Sequence, residues 1–104
     1  MDKVTEEIMT WKKELESEKV KNTEEVNKEA EKVTIAKTSY SIAEQALDSM
    51  DRGEERTRYY EENVKPLEDA LDLAEQQFES MKLAKGMRNA KIDLLLAEIE
   101  MKVK

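Results

Sequence analysis

The apolar residues in both halves of this chain recur at intervals of three and four positions, the spacing of a narrow stripe along an α-helix. In the second half the stripe runs from 67 to 99, with Lys85 and Arg88 as its only polar members. In the first half it runs over 4–15 and 26–50, with polar residues between. Two glycines and one proline in 104 residues leave little chain suited to turns. The sequence therefore predicts an all-α protein of few, long helices.

The two stripes are separated by residues 48–66, which contain Gly53 and the only proline, Pro66. A glycine in the left-handed conformation ends many helices, so we expect the chain to reverse at Gly53. We predict one helical-hairpin domain over 1–104, with coiled-coil-like packing of two antiparallel helices. Its first arm covers 2–51, its turn 52–54 and its second arm 55–103. Because proline removes a helical hydrogen bond, a kink is expected near Pro66.

The reversal brings the polar interruptions of the two stripes together. It sets apolar residues of one stripe opposite those of the other, Glu18 opposite Arg88, and Asn22 opposite Lys85. A polar layer inside an apolar seam can fix helix register, and we assign that role to these four residues. The alternative is that they mark a loose, bent or partner-binding zone.

The helix of each arm could be interrupted at one position. The segment 22–26, NTEEV, has the pattern of a helix start, so the first arm could break near Asn22. Gly86 could end a helix in the second arm. Strong helix formers flank Asn22, and the apolar stripe passes Gly86 in phase, so we favour continuity at both.

Negative charge is concentrated in the middle of the chain. Residues 38–79 contain twelve acidic and four basic residues, net -8, whereas the whole chain carries -7. Such an acidic hairpin end could dock a basic protein surface and would repel nucleic acid, although a solvated helical face is the simpler interpretation. The predicted contact residues are Asp51, Glu54, Glu55, Arg56, Tyr59, Tyr60, Glu61 and Glu62.

The terminal half has more apolar residues than one stripe needs. Three consecutive leucines, 94–96, point in three directions around a helix, so a single partner helix cannot cover them. We expect hairpins to associate through this half into a helical bundle, as a homodimer or higher oligomer. The alternative is a groove for a partner helix. The residues assigned to self-association are Trp11, Leu94, Leu95, Leu96, Ile99 and Met101.

Residue types that carry common catalytic and metal chemistry are missing from this sequence. It has no cysteine and no histidine, and it contains neither a glycine-rich phosphate loop nor a calcium-loop motif. We therefore expect no enzyme activity, no cofactor and no metal. The N-terminus does not resemble a signal peptide, and the longest apolar run, 94–97, is far shorter than a membrane span. These features favour a cytoplasmic protein with no membrane contact.

These features together favour a non-enzymatic protein–protein interaction module. It would be an oligomerising adaptor, an assembly or scaffold factor, or a small chaperone-like protein, with a basic protein as partner and no direct contact with nucleic acid. The alternative function is that of an acidic inhibitor which occupies the basic groove of a nucleic-acid-binding protein. No motif identifies a family.

Overall fold

A computed structural model describes residues 2–103 and shows a helical hairpin. Helix α1, Lys3–Asp48, is followed by a turn over 49–53. Helix α2, Glu54–Tyr59, a π-helical segment, Tyr60–Val64, and helix α3, Lys65–Val103, then follow without interruption and form the second arm. Residues 2–103 contain no strand. The all-α hairpin prediction is confirmed.

Both arms are continuous at the positions where a break was considered. Helix α1 passes through Asn22, and helix α3 passes through Gly86. A glycine inside a helix costs about 1 kcal/mol relative to alanine, which the rest of a long helix readily offsets.

The turn differs from the predicted one in its bounds and in the role of its glycine. Helix α1 ends at Asp48, three residues before the predicted 51, and the N–H of Met50 donates to the Leu47 carbonyl at 3.0 Å. Gly53 has φ 148° and ψ -171°, an extended region that only glycine populates readily, instead of the expected left-handed helical conformation. It immediately precedes α2, and its carbonyl accepts a hydrogen bond from the Thr57 N–H. The glycine therefore starts the second arm.

The disturbance predicted near Pro66 is a π turn. Pro66 has no N–H, and its ring crowds the carbonyl four residues earlier, at Glu62. The π-helical segment contains Glu62, and the N–H of Lys65 donates to the carbonyl of Tyr60, five residues back. The wider turn accommodates the proline within a continuous helical arm.

The hairpin contains two compact units. The terminal unit consists of residues 2–27 and 81–103 in the described part of the chain. Its core is Leu15 of α1 with Ile92 and Ile99 of α3, and Ile92 is fully buried. Three partly buried residues pack on this cluster: Ile8, Leu95 and Leu96.

The turn unit consists of residues 28–80. Its buried apolar residues are Ala43 and Val64, and the latter is 1% exposed. The guanidinium of Arg56 lies 3.6 Å from the carboxylate of Asp48, so an ion pair closes the chain reversal. Since one of the two buried residues is an alanine, the core of this unit is thin.

Candidate interaction surfaces

An amide pair joins the two arms of the terminal unit. Asn22 is 4% exposed, and its Nδ2 donates to Oδ1 of Asn89 at 2.9 Å. Nδ2 of Asn89 in turn donates to the carbonyl of Lys19 at 3.4 Å. The predicted pairing of Asn22 with Lys85 is therefore wrong, because the amide of Asn89 satisfies Asn22 without burying a charge.

The predicted pairing of Glu18 with Arg88 is confirmed. Nε and Nη2 of Arg88 donate to the two carboxylate oxygens of Glu18 at 2.6 and 3.0 Å. This bidentate arrangement lowers the pKa of the Glu18 carboxyl and raises the pKa of the Arg88 guanidinium, chiefly through those hydrogen bonds. The pair joins the two arms in one geometry.

Three further ion pairs join the arms of the terminal unit. Lys85 lies 3.0 Å from Glu25, and Lys19 lies 2.5 Å from Asp93. A longer contact of 3.9 Å joins Lys12 to Glu100. Most of the charged side chains nearest the seam are thus paired with each other within the hairpin.

Sequence reasoning missed several members of the polar layer. Asn89 follows Arg88 and also fits a three-residue step to Ile92, so the stripe pattern allowed either residue at the seam. Lys19 and Asp93 each follow a seam position and carry opposite charges, a signal that could have identified them. The spacing alone did not distinguish these neighbours.

We define the acidic turn surface as Asp51, Glu54, Glu55, Glu61 and Glu62, all of which are exposed. An open groove beside it is lined by Gly53, Glu54, Thr57, Arg58 and Glu61. The structure thus brings together acidic residues from the turn, from α2 and from the π-helical segment.

Of the other three residues predicted for this surface, two have polar partners within the hairpin and one is half-buried. Arg56 pairs with Asp48, and Tyr59 is half-buried. The hydroxyl of Tyr60 donates to Oε2 of Glu68 at 3.4 Å. The polar groups of Arg56 and Tyr60 are therefore engaged within the hairpin.

Tyr40, in the turn unit, lies in a strongly negative environment. Hydrogen bonding to Glu44, with partial burial and the nearby charge of Glu68, raises the pKa of Tyr40 to about 12. The same excess of negative charge disfavours any further anion in this unit.

Few acids of the turn half are neutralised by the chain itself. Of the twelve in residues 38–79, Asp48 and Asp69 form ion pairs within residues 2–103. Eleven of the twelve are exposed, and Glu68 is half-buried. The negative charge is therefore available at the surface.

The residues predicted for self-association divide between the core and the surface. Ile99 is buried in the hairpin core, where Leu95 and Leu96 pack beside it. Leu94 is 70% exposed, Met101 73% and Trp11 41%. Trp11 lies outside the core cluster.

No site is assigned by resemblance to a known protein. No family model matches the chain, and neither a curated protein nor a solved structure shows significant similarity to it. Within residues 2–103, no three acidic side chains gather as they would around a metal ion. Over the same residues, every helix is too polar or too short to cross a membrane.

Proposed function

We propose that this protein is a non-enzymatic interaction module that oligomerises through its terminal unit and presents the acidic turn surface to a basic protein. The observation that carries the proposal is the difference between the two units in how their charged side chains are paired. In the terminal unit four ion pairs join the arms, whereas most acids of the turn half have no ion pair within the described chain. An exposed, unneutralised acidic surface favours encounter with a positively charged partner.

The role that fits this arrangement is that of an adaptor, an assembly or scaffold factor, or a small chaperone-like protein. Oligomerisation would place several acidic turn surfaces in one particle, and linked sites bind more tightly than one site alone. Arg56 and Tyr60 both have partners within the hairpin, so their role in this proposal is to shape the turn.

The test is a quantitative pull-down with three forms of the protein. One variant changes Glu54, Glu55, Glu61 and Glu62 to glutamine. A matched control changes four exposed acids of the terminal unit, Glu6, Glu7, Glu14 and Glu24, to glutamine. We expect basic proteins to be lost from the first variant and kept by the control.

Salt dependence completes this test. Binding of a recovered partner should weaken steeply as ionic strength rises, because the contact is electrostatic. If both variants capture the same proteins as the wild type, the acidic turn surface is a solvated face and the proposal fails.

A further inference from the structure

The outward face of α3 in the terminal unit carries a second apolar stripe. Its members alternate steps of four and three, as the seam does, and every one is exposed. The four large side chains are between 57% and 73% exposed. We call this set the outer stripe: Leu83, Met87, Ala90, Leu94, Ala97 and Met101.

The outer stripe lies on the side of α3 opposite the hairpin core. Ile92 and Ile99 are buried against α1. Because successive residues of an α-helix turn by about 100°, a residue two positions from either isoleucine lies on nearly the opposite side of the helix. The equivalent outward face of α1 is mostly polar, with Thr10, Ser17 and Glu24 exposed, and it carries one exposed valine, Val20. A continuous apolar stripe on the outward face is thus found on α3 and not on α1 in the terminal unit.

We propose that the outer stripe is the contact surface for a second copy of this chain, packed antiparallel on the same stripe. The inference deepens the oligomerising part of the proposed function by naming the residues and the orientation. It rests on the 4–3 spacing, which over residues 83–101 gives a seam of about 27 Å at 1.5 Å per residue.

The sizes of the side chains favour a second copy in antiparallel orientation. One set of alternating positions holds Met87, Leu94 and Met101, and the other holds Leu83, Ala90 and Ala97. Antiparallel pairing sets each residue of the first set opposite one of the second set in the other copy. Parallel pairing sets each residue opposite itself.

In the four central antiparallel layers a large residue faces a small one, and in the two outer layers two large residues meet. Met87 meets Ala97 of the second copy, Leu94 meets Ala90, and Met101 meets Leu83. Large side chains opposite small ones fill a helix interface, whereas alanine opposite alanine leaves space between the helices. The stripe is therefore complementary to itself across a two-fold axis, as a symmetric dimer requires.

The area is sufficient for a modest dimer. Each large side chain would bury on the order of 100 Å² of apolar surface. With the alanines and the stems of flanking side chains, two copies would bury about 1,000 Å², near the lower limit of specific interfaces. We therefore expect a dissociation constant in the micromolar range.

The first test measures the mass of the purified full chain by sedimentation equilibrium. The wild type should reach the dimer mass at tens of micromolar. Leu94→Glu should remain a monomer with unchanged helicity, because Leu94 is 70% exposed within the hairpin. The matched control, Leu73→Glu, changes another exposed leucine of α3, 55% exposed and outside the outer stripe, and should dimerise as the wild type does.

The second test determines the orientation by cysteine cross-linking. The chain has no cysteine, so only the introduced cysteines can form disulfides. Chains with Met87→Cys mixed with chains with Ala97→Cys should form disulfide-linked heterodimers. Chains with Met87→Cys alone should not, since antiparallel pairing separates the two copies of residue 87 by about 15 Å along the axis. The opposite pattern would overturn the antiparallel arrangement.

A monomer mass for the wild type at hundreds of micromolar would overturn the whole inference. Binding of that monomer to vesicles containing anionic lipid, lost in Leu94→Glu, would then reassign the stripe to a lipid surface. Failure of the acidic proposal is a separate result. The variant with four glutamines in the turn unit should keep the dimer mass whether or not it loses basic partners.

Discussion

The two glycines have roles that the stripe pattern does not contain. Gly53 and Gly86 are the only two glycines, yet one has a positive φ before a helix and the other lies inside a helix. Apart from the adjacent residues and the backbone of its own helix, an added methyl group would meet no heavy atom within 4 Å at either position. Their difference is therefore one of backbone conformation, and substitution by alanine isolates it.

Replacing Gly53 with alanine should destabilise the hairpin by about 1–3 kcal/mol, since φ 148° is strained for any residue with a Cβ. Replacing Gly86 should stabilise it by about 1 kcal/mol, because alanine is the better helix former. Urea unfolding followed by circular dichroism, at one protein concentration, measures both. Equal free energies of unfolding for Gly53→Ala and the wild type would contradict this account of the turn.

Tyr40 should give the turn unit a distinct response to alkali. The structure raises the pKa of Tyr40 to about 12, against an ordinary value of 10.0, first through its hydrogen bond with Glu44. The neutral hydroxyl therefore contributes stability that is fully present below the unfolded-state pKa and is lost as the pH rises through the folded-state pKa.

Absorbance titration of the phenolate checks this, with Tyr40→Phe used to assign the signal among the three tyrosines. Glu44→Gln should lower the pKa of Tyr40 towards its ordinary value. Glu24→Gln removes one charge from the terminal unit and should leave the titration unchanged. The interpretation fails if both variants give the wild-type curve.

At the scale of the helices, periodicity predicted the fold because a 4–3 stripe can be buried only on a paired helix. The bounds were harder to predict. Helix α1 ends through local hydrogen bonds around Met50, and the π turn adjusts the backbone before Pro66. Neither effect changes the apolar pattern, so the spacing carried no signal for them.

The polar layer shows the same limit at one site. Glu18 and Arg88 were predicted as partners from charge and register, and they are. Asn22 pairs with Asn89 instead of Lys85, which lies one turn earlier on α3 and pairs with Glu25. The spacing identified where the polar layer lies, whereas side-chain packing decides which amide completes it.

The packing of α3 on α1 should depend most on Ile92. It is fully buried, so Ile92→Ala removes apolar contacts and leaves a cavity at the centre of the terminal unit. We expect a loss of about 2–5 kcal/mol in the free energy of unfolding. The control Leu73→Ala, at a position 55% exposed, should change it by less than about 0.5 kcal/mol. Comparable losses in the two variants would argue against the assigned core.

The ion pair between Glu18 and Arg88 should make this packing sensitive to acid. The pKa of Glu18 is lowered from 4.5 by Arg88, so its contribution is present above that pH and is lost as the pH falls through the lower folded-state value. Glu18→Gln should therefore lower the Tm near neutral pH, with the difference from wild type shrinking in acid. Glu14→Gln, an exposed acid of the same unit, is the control. A constant difference across the acid range would exclude Glu18 as the cause.

Over the whole molecule, the two proposed interactions depend on different forces. Self-association would bury apolar side chains of α3, whereas partner binding would neutralise exposed acids of the turn unit. Each chain carries a net charge of -7, so two copies repel each other at low ionic strength. Salt should therefore act in opposite directions on the two interactions.

The dimer should become tighter as salt is added. The Debye length falls from about 10 Å at 0.1 M to about 3 Å at 1 M, which screens repulsion between the chains but leaves apolar burial intact. Sedimentation equilibrium in low and high sodium chloride should give a smaller dissociation constant at the higher concentration, while the same change weakens binding of a basic partner. Dissociation of the dimer by salt would mean that ion pairs hold the copies together, and the outer stripe could then not be the main contact.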